Sequence, residues 1–172
     1  MVVHKTRRRS RRSKIQHHHF LLRVETQKCP TADSRDEIRD LITTIVREVN
    51  MKLLSPPQVF YVRDPVYNEG LTALAPISTS HLSFHFWLRP ERAILKNHDS
   101  VCLLQFDLYT CGNLTLYQIQ KILHHLTRFA PTHVNATLLN RKWSLTLERQ
   151  LVWDAATHAK SFSQWADSVS AM

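Results

Sequence analysis

A chain of 172 residues that is 43% hydrophobic is long enough for one domain with a real core. Its formal charge of +9 suggests a nucleic-acid binder, but seven of the 23 Lys and Arg sit at Lys5, Arg7, Arg8, Arg9, Arg11, Arg12 and Lys14, and the remainder balances at 16 bases against 14 acids. No run of 18 apolar residues occurs, and the Arg-rich start leads into His17-His18-His19 rather than an apolar core, so neither a membrane helix nor a secretory signal is expected.

In chain order, residues 1–16 read as a basic disordered arm and 17–172 as one domain. The first strand is expected over Phe20 to Thr26. A helix follows, started by Ser34 with Glu37 three residues on, the spacing of a capping box. Ile38, Leu41, Ile42, Ile45, Val46, Val49 and Leu53 repeat at three and four, an apolar stripe that Pro56 and Pro57 terminate. Alternation predicts strands over Gln58 to Arg63, Leu71 to Ile77 after an Asn68-Glu69-Gly70 turn, His81 to Leu88, and Val101 to Tyr109. Arg89 to Ser100 between the last two is polar enough to be a surface excursion. A second amphipathic helix spans Thr115 to Phe129, then Thr132 to Leu139 returns as a strand, with Trp143 to Leu147 as a further one. The stretch from Trp153 to Met172 reads as a helix on the sheet or its edge. The order predicts an α+β fold, an antiparallel sheet with two main helices packed on one face. Cys29, Cys102 and Cys111 are odd in number and lack C-x-x-C spacing, which fits a reducing cytoplasm.

The chemistry concentrates in Thr79-Ser80-His81-Leu82-Ser83-Phe84-His85-Phe86-Trp87 and Asp107-Leu108-Tyr109-Thr110-Cys111-Gly112. These segments resemble the self-processing S-adenosylmethionine decarboxylases of the small prokaryotic type. That family's signature runs Glu-Ser-His-(Leu/Ile)-x-(Ile/Phe)-His-x-Trp-Pro-Glu and then Asp-(Leu/Val)-(Phe/Tyr)-Thr-Cys-Gly. The resemblance covers Asn68 to Gly112. Three departures stand out: Thr79 replaces the glutamate, Trp-Pro-Glu is interrupted as Trp87-Leu88-Arg89-Pro90-Glu91, and the connection to Thr-Cys-Gly is longer.

The resemblance implies a proenzyme cut between Thr79 and Ser80. Ser80 would attack the carbonyl of Thr79, and removal of its α-proton would eliminate the upstream chain and leave a pyruvoyl group. His85 would be the processing base, Thr72, eight residues before Ser80, would assist, and Cys111 would be the proton donor in turnover. The pyruvoyl group would condense with an amino-acid-like substrate and withdraw electrons as CO2 leaves, which requires neither metal nor pyridoxal phosphate. S-adenosylmethionine is the implied substrate, in spermidine synthesis, with ornithine or arginine as alternatives and a non-processing binding partner as a third reading. Tyr67 is the nearest aromatic for adenine and Glu25 the nearest carboxylate for ribose. A homodimer is implied; nucleic acid and membrane are not expected partners. On a straight strand His81, Ser83, His85 and Trp87 share one face and Ser80 the other, so Ser80 and His85 meet only if the chain bends before residue 82. Ser80 is therefore expected at a strand entrance. His17-His18-His19 and His124-His125 do not make a metal site alone, because adjacent side chains point apart.

Overall fold

The computed structural model describes residues 15–63 and 69–172; residues 1–14 of the arm expected over 1–16, Tyr67 and the Asn68 end of the expected turn lie outside the described residues. Seven strands form one sheet: β1 (His18–Thr26), β2 (Gln58–Val62), β3 (Gly70–Ile77), β4 (Ser80–Trp87), β5 (Cys102–Thr110), β6 (Pro131–Asn140) and β7 (Thr146–Asp154). They lie in the order β2-β3-β4-β5-β1-β6-β7, and every neighbouring pair is antiparallel. Among the described residues three α-helices accompany the sheet, the two main ones expected, α1 (Arg35–Glu48) and α2 (Leu116–Leu126), and within the C-terminal stretch α3 (Phe162–Ser168).

One sheet face is apolar and covered, as alternation requires. Phe20, Leu22 and Val24 of β1, Leu82, Phe84 and Phe86 of β4, and Leu104, Phe106 and Leu108 of β5 are all buried, together with Ile38, Leu41, Ile42, Ile45 and Val46 of α1 and Ile119, Ile122, Leu123 and Leu126 of α2. The C-terminal segment extends this layer: Trp153 of β7, Phe162 and Trp165 form an aromatic run with centroid separations of 5.3 and 5.7 Å, and α3 packs beside α2. The opposite face carries Phe60, Leu74, Leu147 and Val152, all large, apolar and exposed.

Local signals were partly misleading. The Ser34 hydroxyl does not cap α1 with Glu37; it accepts the amide hydrogen of Thr31 at 3.0 Å, closing a short 3-10 turn before the helix. α1 also stops at Glu48, well before the prolines, because Asn50 turns left-handed at φ 58° and Met51 bonds back to the Val46 carbonyl at 2.9 Å. Leu53 is thereby released from the helix to bridge Ile77. Trp143 sits in the connection before β7 and is 90% exposed. Gly70 has no room for a side chain: a Cβ there would lie 1.7 Å from the Phe86 carbonyl oxygen, so glycine lets β3 and β4 close up beside the site.

The expectation of unpaired cysteines is corrected. Cys29 and Cys102 form a disulfide across 73 positions of sequence. Sequence spacing could not reveal it, because it is the ladder pairing of Thr26 with Cys102 that brings the end of β1 to the start of β5. Cys111 remains free.

The excursion over Arg89 to Ser100 is anchored by Glu25, whose carboxylate is fully buried. It accepts from Arg23 at 2.6 Å, from the Lys96 amide at 2.8 and 2.9 Å, from the Asn97 amide at 2.8 Å and from the Ser100 hydroxyl at 3.3 Å. Burial pushes its carboxyl up, but the bonds from Arg23 and the Asn97 and Lys96 amides outweigh burial and hold it below the ordinary value of 4.5. Its stabilising effect is therefore present above that ordinary value and is lost as pH falls through the lower folded value. Glu25→Ala is expected to cost about 2–4 kcal/mol at pH 7, because it strands two amides and a guanidinium. Urea unfolding at pH 7 and near pH 3 checks this: the gap between variant and parent should shrink in acid.

Candidate active site

β4 begins at Ser80. The hairpin that delivers it is tight, since Ile77 pairs with Ser80 and leaves only Ser78 and Thr79 as the loop. Two-residue hairpins normally use positive φ in the loop itself, which a β-branched residue such as Thr79 resists. Here the positive φ falls on Ser80 instead, at 153°. That region is nearly exclusive to glycine and costs of order 1–3 kcal/mol for any other residue. Strain is thus stored at the residue following the Thr79 carbonyl.

The carbonyl itself is held. The amide of Cys111 donates to the Thr79 oxygen at 3.0 Å, because Ser80 pairs with Thr110 at the end of β5 and Cys111 is the next residue. A backbone donor on that oxygen is oriented to take up negative charge if the carbonyl is attacked. Thr79 Oγ1 is buried without a hydrogen-bond partner.

His85 lies on the uncovered face. Its Nδ1 is 2.7 Å from Thr72 Oγ1, its ladder partner on β3, and its ring stands 3.8 Å from that of Trp87. Nε2 is buried with no partner. Burial lowers the His85 pKa below the ordinary 6.5, so the ring is unprotonated at neutral pH. A cleft of about 490 Å³ opens beside it, lined by Leu21, Arg23, Ser83, Gln105 and Asp107 among others.

Thr72 and His85 are thus brought together, and Ser80, Thr79 and Cys111 are brought together, but the two groups are apart. β4 is paired without interruption from Ser80 to Trp87. Five residues of strand separate Ser80 from His85 by about 16 Å. Ser80 stands at the strand entrance as expected, but the bend that would bring it to His85 within one chain is not found. Glu25 is occupied by the loop that it anchors and offers no free oxygen to a ribose. Tyr67 lies outside the described residues.

A third cluster received no role from the sequence. His81 Nδ1 is 3.1 Å from Ser80 Oγ, and its Nε2 is 3.5 Å from Asp107 Oδ1. Asp107 Oδ2 bonds His19 Nε2 at 2.7 Å, and Arg141 donates to His19 Nδ1 at 3.2 Å. The shared parity of His81, Asp107 and His19 on the uncovered face was the available signal. The neighbouring histidines diverge as adjacency requires: His17 meets the Tyr109 hydroxyl at 3.0 Å, while His18 Nδ1 accepts the Leu114 amide at 2.9 Å. His124 and His125 contact Asp167 and Glu48 respectively. Among the described residues no group of three or more His, Cys, Asp or Glu is arranged to hold a metal ion.

A search of curated proteins found no match. The model of the S-adenosylmethionine decarboxylase family matches residues 19–142, a span that contains the strained Ser80, the Thr72–His85 pair and Cys111. The chain belongs to the S-adenosylmethionine decarboxylase family.

Proposed function

We propose that the chain is a proenzyme that cuts itself between Thr79 and Ser80 and then decarboxylates S-adenosylmethionine for spermidine synthesis. The observation that carries this reading is the Ser80 corner: a serine at φ 153° whose preceding carbonyl accepts a backbone hydrogen bond from Cys111. The Ser80 hydroxyl attacks the Thr79 carbonyl carbon, the Oγ–C bond forms, the C–N bond breaks, and the hydroxyl proton passes to the freed nitrogen. Cys111 N–H stabilises the oxyanion of that step, and relief of strain at Ser80 favours it. Loss of the Ser80 α-proton then expels the Thr79 carboxylate, and hydrolysis of the resulting dehydroalanine, with loss of ammonia, leaves a pyruvoyl end on residue 80. That group supplies an electron sink for decarboxylation, without metal or pyridoxal phosphate. Cys111, the residue after Thr110, the ladder partner of Ser80, is the proposed donor that returns a proton to the substrate carbon.

The α-proton is assigned to His85 held by Thr72, with Nδ1–H donating to Thr72 Oγ1 and Nε2 free as the base. Because about 16 Å of strand separates His85 from Ser80, the base must come from a second copy. The proposal is therefore a homodimer that pairs its uncovered sheet faces, where Phe60, Leu74, Leu147 and Val152 are exposed. Among the described residues no helix is long and apolar enough to cross a membrane. The proposal places the enzyme in the cytoplasm, where the Cys29–Cys102 disulfide of the fold would be open to reduction.

Intact mass of the purified protein tests the reading. After reduction of the Cys29–Cys102 bond, which otherwise joins the two pieces, the expected result is two fragments, residues 1–79 and 80–172, the second bearing a pyruvoyl end. One uncut chain after prolonged incubation would sink self-processing. Thiol alkylation before reduction reads the Cys29–Cys102 state, and parallel assays on S-adenosylmethionine, ornithine and arginine assign the substrate.

A further inference from the structure

We infer that His81, oriented by Asp107, is the general base that takes the Ser80 hydroxyl proton during the acyl shift. This inference rests on self-processing at Ser80 and assigns its first step, separate from the α-proton removal given to His85. His81 Nδ1 at 3.1 Å is the side-chain nitrogen placed to accept from Ser80 Oγ. Taking that proton requires an unprotonated Nδ1, which puts the ring hydrogen on Nε2, the edge facing Asp107 Oδ1 at 3.5 Å.

The state of Asp107 supports the assignment. Its Oδ2 is already satisfied at 2.7 Å by His19 Nε2. Arg141 fixes that tautomer, because a hydrogen bond donated to His19 Nδ1 leaves the ring hydrogen on Nε2. Oδ1 is buried and has no hydrogen bond. An orphaned carboxylate oxygen is costly at rest, and here it faces the ring that would become cationic. Half of the His81 side chain is exposed, at 53%, so the ring is free to swing the short distance that turns a 3.5 Å contact into a charge-assisted bond. Nucleophile, imidazole and carboxylate then stand in the order that activates a hydroxyl elsewhere in enzymology. The step balances: the proton leaves Ser80 Oγ for His81 Nδ1 as the Oγ–C bond forms, and His81 returns it to the Ser80 nitrogen as the C–N bond breaks. Asp107 is a positioning residue, since it reaches the reacting atoms only through His81.

The test separates the two steps. In His85→Ala, α-proton removal is blocked, so the ester at Ser80 can be trapped with hydroxylamine, which releases residues 1–79 as a hydroxamate. Protein freshly made in a reconstituted translation mix is followed by intact mass. His85→Ala is expected to give the hydroxamate; adding His81→Ala should slow its appearance about a hundredfold, with partial recovery in added imidazole. His81→Gln, which keeps the side chain's bulk, should be equally slow. Asp107→Asn should slow it by at least about tenfold and Asp107→Glu should recover part of the rate, although Asn is the better match in shape. A hydroxamate rate unchanged by either His81 substitution overturns the inference and leaves self-processing intact. An uncut parent chain with no hydroxamate from His85→Ala overturns both.

Discussion

Ser80→Ala is expected to abolish cleavage outright, leaving a single chain of full mass, and to reduce decarboxylation to background. No other change in the chain should have so large an effect, because in the proposed mechanism Ser80 supplies both the nucleophile and the atoms of the prosthetic group. The backbone at this position offers a second measurement. Ser80→Gly also lacks the hydroxyl and also stays uncut, yet it adopts φ 153° without steric cost. Relief of the strain less the entropy of an added glycine leaves a net gain of about 1 kcal/mol over Ser80→Ala. That should appear as a melting temperature roughly 2–4 °C higher for glycine. Equal melting temperatures for the two uncut variants would mean that the corner stores no usable strain.

The second large effect is expected at His85. Removing its imidazole should slow cleavage by roughly 10²–10⁴, and the defect should be repaired by a partner chain. Ser80→Ala and His85→Ala are each uncut or nearly so alone. Expressed together, they should yield cut protein derived only from the His85→Ala chain, since only that chain keeps Ser80 and it can use the partner subunit's His85. Failure of mixed expression to restore cutting would remove the dimeric site. The pH dependence has a fixed sign. Burial holds His85 below the ordinary 6.5, so the free base persists as pH drops through that value, and the elimination rate should stay level there and fall only in more acid solution. The same shift means that the unfolded chain binds this proton more readily than the folded one. His85 therefore withdraws stability as pH falls from its ordinary value toward the folded one.

The alternation of Leu82, Phe84 and Phe86 against His81, Ser83 and His85 was enough to place strand β4 and its two faces, because a side-chain period of two follows from strand geometry alone. The stripe from Ile38 to Val46 placed α1 on the sheet for the equivalent reason at a period of 3.6. Capping was less legible. Ser34 had a plausible partner in Glu37 and took the Thr31 amide instead, and Asn50 ended α1 through a left-handed turn that outcompeted the more obvious prolines.

The active-site residues divide along the same line. The motif itself singled out Ser80, His85 and Cys111 as the candidate side chains and pointed to the family whose model matches residues 19–142. Only tertiary structure decided their distances. An uninterrupted ladder holds Ser80 and His85 about 16 Å apart on one strand, while pairing between strands brings Thr72 to His85, Cys111 to the Thr79 carbonyl, Asp107 to His81 and Cys29 to Cys102. The sequence specifies neighbours along the chain, and hydrogen-bonded register specifies neighbours across it. In this seven-stranded antiparallel sheet the second set assembles the candidate site.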